Sequence, residues 1–328
     1  MREITGINPT YSTTRTLTLQ KPVIKKRVED KFETFLLLPE GIARKGEGGL
    51  RTQGYFKTSL EGKPLITVIT VVFNGDKFLE EAILSVINQS YDNIEYIIID
   101  GGSTDGTLDI IKKYQHAIDY WVSEKDVGIY DAMNKGSIVS HGEFIGFVNA
   151  DDFIYPNTLK ILGQAAIEKQ FDYTIGPVDL IDMAGQLKEQ ILVLDDFIEK
   201  NRFLLDMATQ HQSFYINQRL LKQIGLFNLN YRLRADFDMV IRACLNSQRY
   251  FEFKESVGGF REGGVSGSYG TFLENFNLLK TYKVSLVKRI ILISLSLLKI
   301  FVIKNFPKAL VEWLRKKFSS GRFVKARK

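Results

Sequence analysis

The sequence predicts an α/β fold: a mainly parallel central sheet flanked by helices, with a C-terminal amphipathic helical tail. Three observations carry that expectation. Residues 65–73 (LITVITVVF), 94–99 (IEYIII) and 144–148 (FIGFV) are apolar or β-branched nearly throughout, as strands covered on both faces have to be. Segments with helical periodicity separate them, and strand-helix-strand repeats at this spacing build parallel sheets. Each strand runs into a loop rich in Asp, Asn and Gly, so polar side chains collect at one sheet edge, where open α/β sheets hold their ligands.

Residues 1–63 lack sustained periodicity and read as an N-terminal extension. Within it, 32–39 (FETFLLLP) either adds an edge strand or docks on the body. Residues 41–54 read as a basic, Gly-rich loop whose Arg44, Lys45 and Arg51 either meet an anionic ligand or are solvated. The body spans 64–275, and its first half, 64–152, opens with strand 65–73 between Pro64 and Asn74-Gly75. Leu79, Ala82, Ile83, Val86 and Ile87 then fall on one face of a helix. Strand 94–99 leads into the loop 100–107 (DGGSTDGT), followed by a helix over 108–114, a short strand over 120–123, a helix over 128–139 and strand 144–148.

The second half, 153–275, reads as a mixed α+β elaboration. It holds a helix over 157–169, a hairpin of 171–181 with 187–194 about the turn 182–185, a short strand over 213–216, a helix over 237–244 and a strand-like stretch over 250–257. Residues 261–268 (REGGVSGS) read as a flexible loop. No internal repeat is evident.

The tail spans 276–328. From Lys288 onward there are 12 Lys and Arg against the single acid Glu312, a net +11 within a whole-chain +6, so the residues before it sum to −5. The basic balance belongs to the tail, and no nucleic-acid partner is expected. Residues 289–306 are very apolar, but Lys299 interrupts them and Pro307 ends them, too short and broken for a membrane span. At helical spacing Ser285, Lys288, Arg289, Ser296 and Lys299 share one face. That describes a helix lying on an anionic membrane surface, or one packed on the body or a partner. A second short helix is expected over 308–318. The N-terminus has no apolar signal-peptide core, and the single cysteine, Cys244, fits a reducing compartment. A cytoplasmic protein, peripheral on the inner face of the cell membrane, is the expectation.

The stretch 144–152 concentrates the chemistry. Its strand ends in Asn149, Ala150, Asp151 and Asp152, two adjacent carboxylates that repel unless a cation or proton neutralises them. Hard divalent cations that also touch phosphate use one or two such carboxylates. Acids before a helix starting near Pro156 are also ordinary capping, and both readings stand from this stretch alone.

Four motifs in order resemble glycosyltransferase family 2: residues 67–75 (TVITVVFNG), 94–107 (IEYIIIDGGSTDGT), 123–136 (SEKDVGIYDAMNKG) and 147–152 (FVNADD). The likeness covers residues 64–270 and implies the GT-A fold, a nucleotide-diphospho-sugar-binding sheet. The second and third motifs resemble the members that build bacterial exopolysaccharide, capsule and lipopolysaccharide, the colanic-acid transferases among them. The resemblance implies an inverting, metal-dependent transferase. Its donor would be a nucleotide-diphosphate sugar, a UDP-sugar above all, and its acceptor a hydroxyl of a growing cell-surface glycan or lipid-linked glycan.

The resemblance also implies residue roles. Phe73 would stack on the nucleotide base with Asn74 beside it, a role that suits a flat ring. Asp100 would contact base or ribose. Gly101 departs from the commoner Asp-Asp pattern, whose second acid reads uracil in some relatives. Asp126 would line the donor site, and Asn134 would fix its helix to the sheet edge. Asp151 would contact ribose or metal, and Asp152 would ligate the Mn²⁺ or Mg²⁺ that bridges the diphosphate. Asn149 stands where the family's Asp-x-Asp begins with an acid. Asp236 would be the catalytic base, with Asp238 as the alternative, and Asp236 also reads as a helix N-cap. His211, with Gln212, resembles a pair near the acceptor or metal. Arg232 and Arg234 either meet phosphate or balance Asp236, and 261–268 is either a lid or a plain loop.

Other readings are a catalytically silent nucleotide-sugar or membrane-docking module, and a sugar-nucleotide pyrophosphorylase. The pyrophosphorylase would need a Gly- and Arg-rich loop after the first strand, which VVFNGDKFLEE lacks. A dinucleotide site would need GxGxxG there, which is also absent.

Overall fold

The structure, a computed structural model, describes residues 9–24, 26–41, 43–193, 209–263, 269–305 and 323–325. In chain order the first part comprises β1 (Gly46–Gly48), β2 (Ile66–Val72), α1 (Leu79–Ile87), β3 (Ile94–Asp100), α2 (Thr107–Tyr114), β4 (Tyr120–Ser123), α3 (Ile129–Ile138) and β5 (Phe144–Phe147). Next come β6 (Phe153–Ile154), α4 (Thr158–Glu168), β7 (Tyr173–Ile175), β8 (Val178–Ile181) and β9 (Leu187–Ile191). They are followed by β10 (Ile216–Asn217), α5 (Gln218–Ile224), α6 (Ala235–Asn246), β11 (Tyr250–Glu252) and β12 (Gly258–Arg261), and then by α7 (Tyr269–Thr281), α8 (Leu286–Asn305) and β13 (Phe323–Lys325).

The main sheet has the order β1-β4-β3-β2-β5-β10-β7-β11, and a second sheet has β13-β9-β8-β12-β6. Within the main sheet β4, β3, β2 and β5 are mutually parallel, with Val72 opposite Asp100 and Asp100 opposite Ser123. That register brings their C-terminal loops to one edge. Every residue of β2 and β3 is buried, because helices or sheet cover both faces. Alternate residues divide between two cores. Ile69, Val71, Ile97 and Ile99 pack with Tyr130, Met133 and the α5–α6 side chains, whereas Ile66, Val68, Val72 and Ile98 pack with α1 and α4.

Several expected elements take different bounds. The stretch 171–181 is two strands, β7 in the main sheet and β8 in the second, because Pro177 has no N–H to continue a ladder. The β8–β9 hairpin forms as expected up to Ile191; residues 194–208 lie outside the described residues, as do 264–268 and the helix expected over 308–318. The strand expected at 213–216 is β10, preceded by a 3₁₀ turn at His211–Ser213. The stretch 250–257 is β11 and a turn. Arg261, read as the start of a loop, ends strand β12 and is buried.

The extension is woven into the body. Residues 46–48, expected in a loop, are the antiparallel edge strand β1 on β4. Residues 32–39 dock instead of forming a strand: the Phe35 N–H donates to Ile138 O at 2.7 Å and the Leu38 N–H to Tyr120 Oη at 3.1 Å. Ser12 Oγ donates to the carbonyls of Val86, at 3.2 Å, and Ile87, at 2.9 Å, at the C-terminal end of α1, where helix carbonyls lack intrahelical partners. No helix among the described residues is long and apolar enough to cross a membrane.

Two buried ion pairs fasten the extension. Lys57 is completely enclosed and donates to Asp119 Oδ2 at 2.6 Å and to Ile94 O at 2.5 Å. Burial draws the Lys57 ammonium down and pushes the Asp119 carboxyl up, each opposed by the partner's charge. Arg51 pairs with Glu95, and its Nη1 donates to Val139 O at 2.6 Å. Removing one member of a buried pair strands the other in a low dielectric. Lys57→Ala should therefore lower the unfolding free energy by about 3–5 kcal/mol in urea titration. Lys113→Ala, at an exposed pair with Glu80, should leave the urea midpoint almost unchanged.

Candidate active site

The loops at the shared sheet edge are stitched together. Asn74 adopts φ 51°, a left-handed conformation that Asn tolerates better than most residues. Its Oδ1 then accepts the Thr104 N–H at 2.8 Å, its own N–H donates to Ser103 Oγ at 2.7 Å, and the Gly75 N–H donates to Thr107 Oγ1 at 2.9 Å. Asn74 thus ties the first loop to the second, and the preceding Phe73 ring stands out at 64% exposure.

Asp100 is fully buried at the end of β3. Ser103 Oγ and Ser123 Oγ both donate to its carboxylate, the latter at 2.5 Å, and the Ser103 N–H joins at 3.1 Å. Asp100, expected to contact base or ribose, is enclosed here and braces the loop from beneath.

A half-buried carboxylate at this edge belongs to Asp126. A Cβ on Gly101 would lie 2.4 Å from Asp126 Oδ2. The chain can place an acid from the β4–α3 loop there because residue 101 has no side chain. Asp126 Oδ1 accepts the Gly128 N–H at 2.9 Å. Burial raises the Asp126 carboxyl above its ordinary value, with Asp131 and Asp100 adding to the rise, against the Gly128 hydrogen bond and the Lys135 charge.

Beyond β5 the two adjacent acids part ways. Asp152 is 2% exposed and both its oxygens are engaged. Oδ1 accepts the Arg261 N–H at 2.9 Å and Oδ2 accepts Gln212 Nε2 at 2.7 Å. His211 Nε2 lies 3.4 Å from the same Oδ2 without forming a hydrogen bond. Gln212 Oε1 and Asn149 Oδ1 are also buried without a partner. Arg261 continues the brace through Nε to Asp151 O at 2.9 Å and Nη2 to Glu81 at 2.6 Å, and its guanidinium lies 4.2 Å from the Phe78 ring centre. Asp151, in contrast, is exposed. Burial of part of its surroundings and the Asp152 charge raise its carboxyl above the ordinary value, against the pull of His211 and Arg261. Asp152, expected to ligate the Mn²⁺ or Mg²⁺ that bridges the diphosphate, is the enclosed brace of the pair, and Asp151 carries the exposed carboxylate.

The other half contributes Asp236, in the first turn of α6. Its Oδ1 accepts Tyr130 Oη at 2.9 Å and the Phe237 N–H at 2.8 Å. No cap is made by its side chain at the helix start; the N-cap position is Arg234. Asp238, the alternative base, is buried between Arg242 Nε at 2.8 Å and Tyr282 Oη at 2.7 Å, so neither oxygen is open. Asn134 does not meet the sheet edge. It exchanges two hydrogen bonds with the Phe227 backbone, at 3.0 and 2.8 Å, tying α3 to the segment before α6. Arg234 Nε is buried without a partner. Arg44, Lys45 and Arg51 serve internal contacts: Arg44 meets Glu47 and Glu124, and Lys45 donates to the Gly102 and Ser103 carbonyls.

Residues 67–225 match the model of a family described as glycosyl transferase family 2. An uncharacterized glycosyltransferase of Mycobacterium tuberculosis is 31% identical over 190 residues, covering 56% of this chain and 70% of that protein. The chain belongs to glycosyltransferase family 2. A Mycobacterium bovis relative named as a PGL/p-HBAD biosynthesis glycosyltransferase is 28% identical over 211 residues, 62% of this chain and 80% of its own. Among solved structures, Staphylococcus aureus TarS in complex with UDP aligns at a TM-score of 0.52 with 18% identity, covering 78% of this chain and 72% of that one. A Pyrobaculum calidifontis mannosyltransferase in complex with GDP-Man and Mn²⁺ aligns at 0.51 with 15% identity, covering 78% and 79%. The fold of this family 2 transferase is GT-A, and its motif loops are the ones stitched at the sheet edge.

Sequence reasoning missed Tyr130 as part of the site, and read Arg261 only as the start of a lid or a plain loop. Tyr130 lies inside a quoted motif, but nothing in the spacing links it to a residue 106 positions later. The Gly101–Asp126 relation is open to a direct check. Gly101→Ala should cost about 1 kcal/mol in urea unfolding, because Asp126 must leave its Gly128 hydrogen bond. In an Asp126→Ala background the same substitution should cost nothing measurable.

Proposed function

We propose that this transferase moves a sugar, with inversion, from a UDP-linked donor to a hydroxyl of a growing cell-surface glycan or lipid-linked glycan. The observation that carries the proposal is the convergence at one sheet edge of the open Asp151 carboxylate, the unpartnered His211 Nε2, the exposed Phe73 ring and the Asp126 carboxylate, with Asp236 supplied from α6. Phe73 offers a flat face to the base. Asp126 offers an acceptor for a base N–H or sugar hydroxyls. Asp236 takes the acceptor hydroxyl's proton, since Asp238 has no open oxygen.

A divalent Mn²⁺ or Mg²⁺ fits the same place. Carboxylate and imidazole atoms suit such ions, and a buried His211 nitrogen with no partner is otherwise a desolvated group left unpaid. Asp151 and His211 are the residues that would hold it, with Asp152 behind them. Among the described residues no three His, Cys, Asp or Glu form a cage, and phosphate oxygens and water would supply the remaining ligands. Such an ion, when bound, neutralises charge developing on the departing diphosphate.

The tail supports a peripheral site on the inner face of an anionic membrane. Leu286, Val287, Ile290, Ile291, Leu295 and Leu298 of α8 are exposed together along one side of the helix. Arg289, expected on the outer basic face, instead lies over Phe276 of α7 at 4.4 Å. Replacing Ile290 and Leu295 together by Asp should abolish sedimentation with phosphatidylglycerol vesicles; unchanged sedimentation would sink the membrane reading.

The enzyme reading is tested by hydrolysis of UDP-N-acetylglucosamine, UDP-glucose and GDP-mannose with and without Mn²⁺. If none is turned over or bound, it fails. Asp151→Asn should weaken Mn²⁺-dependent UDP binding at least tenfold in calorimetry without shifting the unfolding midpoint. Asp152→Ala should lower stability itself by about 1–3 kcal/mol, by leaving the Arg261 N–H and Gln212 amide unpaired.

A further inference from the structure

We infer that Tyr130 is the positioning residue of the catalytic base: its hydroxyl holds Asp236 Oδ1 so that Oδ2 alone faces the acceptor. The inference rests on the reading of Asp236 as that base. Tyr130 is 8% exposed on α3, in the donor half, and its ring stacks on Phe227 at 5.6 Å and 24°. Phe227 in turn packs edge-on against Phe147 of β5 at 5.2 Å, and its backbone is gripped by Asn134 one turn further along α3. The phenol therefore rests on a ring that is itself fixed from two sides, and from there it reaches Asp236 across 2.9 Å.

The chemistry gives the hydroxyl one role. Burial, reinforced by the Asp236 charge, raises the Tyr130 phenol far above its ordinary range, so it keeps its proton and donates. Oδ1 also accepts the Phe237 N–H at 2.8 Å. With two donors on one oxygen, the carboxylate cannot rotate without breaking both bonds. Oδ2 has no hydrogen bond among the described residues and is not enclosed, which leaves it as the atom that accepts the hydroxyl proton. A free aspartate would present either oxygen in any of several rotamers, and a general base works only within hydrogen-bond reach of the proton it removes. Because Tyr130 lies one turn beyond the Asp126 loop, one helix links the donor edge to the base.

Tyr130→Phe keeps the stacked ring and removes only the hydroxyl, so folding should persist. The test is a double-mutant cycle of Tyr130→Phe with Asp236→Asn. The readout is steady-state hydrolysis of whichever of UDP-N-acetylglucosamine, UDP-glucose and GDP-mannose is turned over fastest, water standing in for the acceptor. Tyr130→Phe alone should lower kcat at least tenfold, with KM and UDP affinity changed less than twofold. In the Asp236→Asn background it should lower kcat no further. An equal loss in both backgrounds, a loss carried by KM, or no loss in the single variant overturns the positioning role while leaving Asp236 as base. Full kcat in Asp236→Asn overturns the base reading, and the positioning role with it.

Discussion

A buried carboxylate has to be matched by donors, and at Asp152 that requirement organises the site. The donors come from separate stretches: the Arg261 N–H from β12 in the second sheet, and the Gln212 amide from the 3₁₀ turn before β10 in the main sheet. Leaving either unmatched would cost the desolvation of a charge, far more than the bond itself contributes. The two sheets are thereby drawn to one point at the end of β5. Asp151 lies on the open side of that point, its backbone carbonyl held by Arg261 Nε. A flexible ligand loop would have to find its geometry on binding. Here the braced neighbour holds it in advance, which spares the ordering cost that binding otherwise incurs.

The second strut is α3. It begins where the Asp126 loop ends, passes Tyr130 against Asp236, and closes on the Phe227 backbone through Asn134. These contacts join residues of the stretch 64–152 to residues of the stretch 153–275. Relative motion of the halves would break a stacked aromatic pair and three side-chain hydrogen bonds together, so Asp236 and the Asp126 loop are coupled through α3. Under the proposed function, that coupling would keep an attacking hydroxyl oriented for in-line displacement.

The parallel half was legible because its signals are local. Continuous apolar runs, helical periodicity and Asp- and Gly-rich loops each report on a few consecutive residues, and β2, β3, β4 and β5 fall where those patterns put them. The second half was less legible because its strands are two to five residues long and draw on distant partners. Nothing within 171–181 says that it feeds two sheets, except Pro177, whose missing N–H ends one ladder. The site residue types were legible as well, but not their exposure. Asp151 and Asp152 are chemically identical in the sequence, and only Arg261 and Gln212, 109 and 60 positions away, decide which is enclosed.

Gly101 and the basic 41–54 stretch follow the same logic: a motif position is defined by the volume and charge it contributes, not by its letter. Gly101 removes a side chain from β3's loop, and Asp126 supplies a carboxylate in the same space from the neighbouring loop. Lys45 reaches the carbonyls of Gly102 and Ser103 from the other side, so the extension supports the loop that Asp100 braces from below. Lys45 and Arg51 had read as charges for a ligand or for water. They instead neutralise or satisfy groups that the sheet had to bury, and the open charge at the sheet edge is left to Asp126 and Asp151. An acid-rich edge of that kind favours a cation, and under the proposed function that cation would precede the diphosphate.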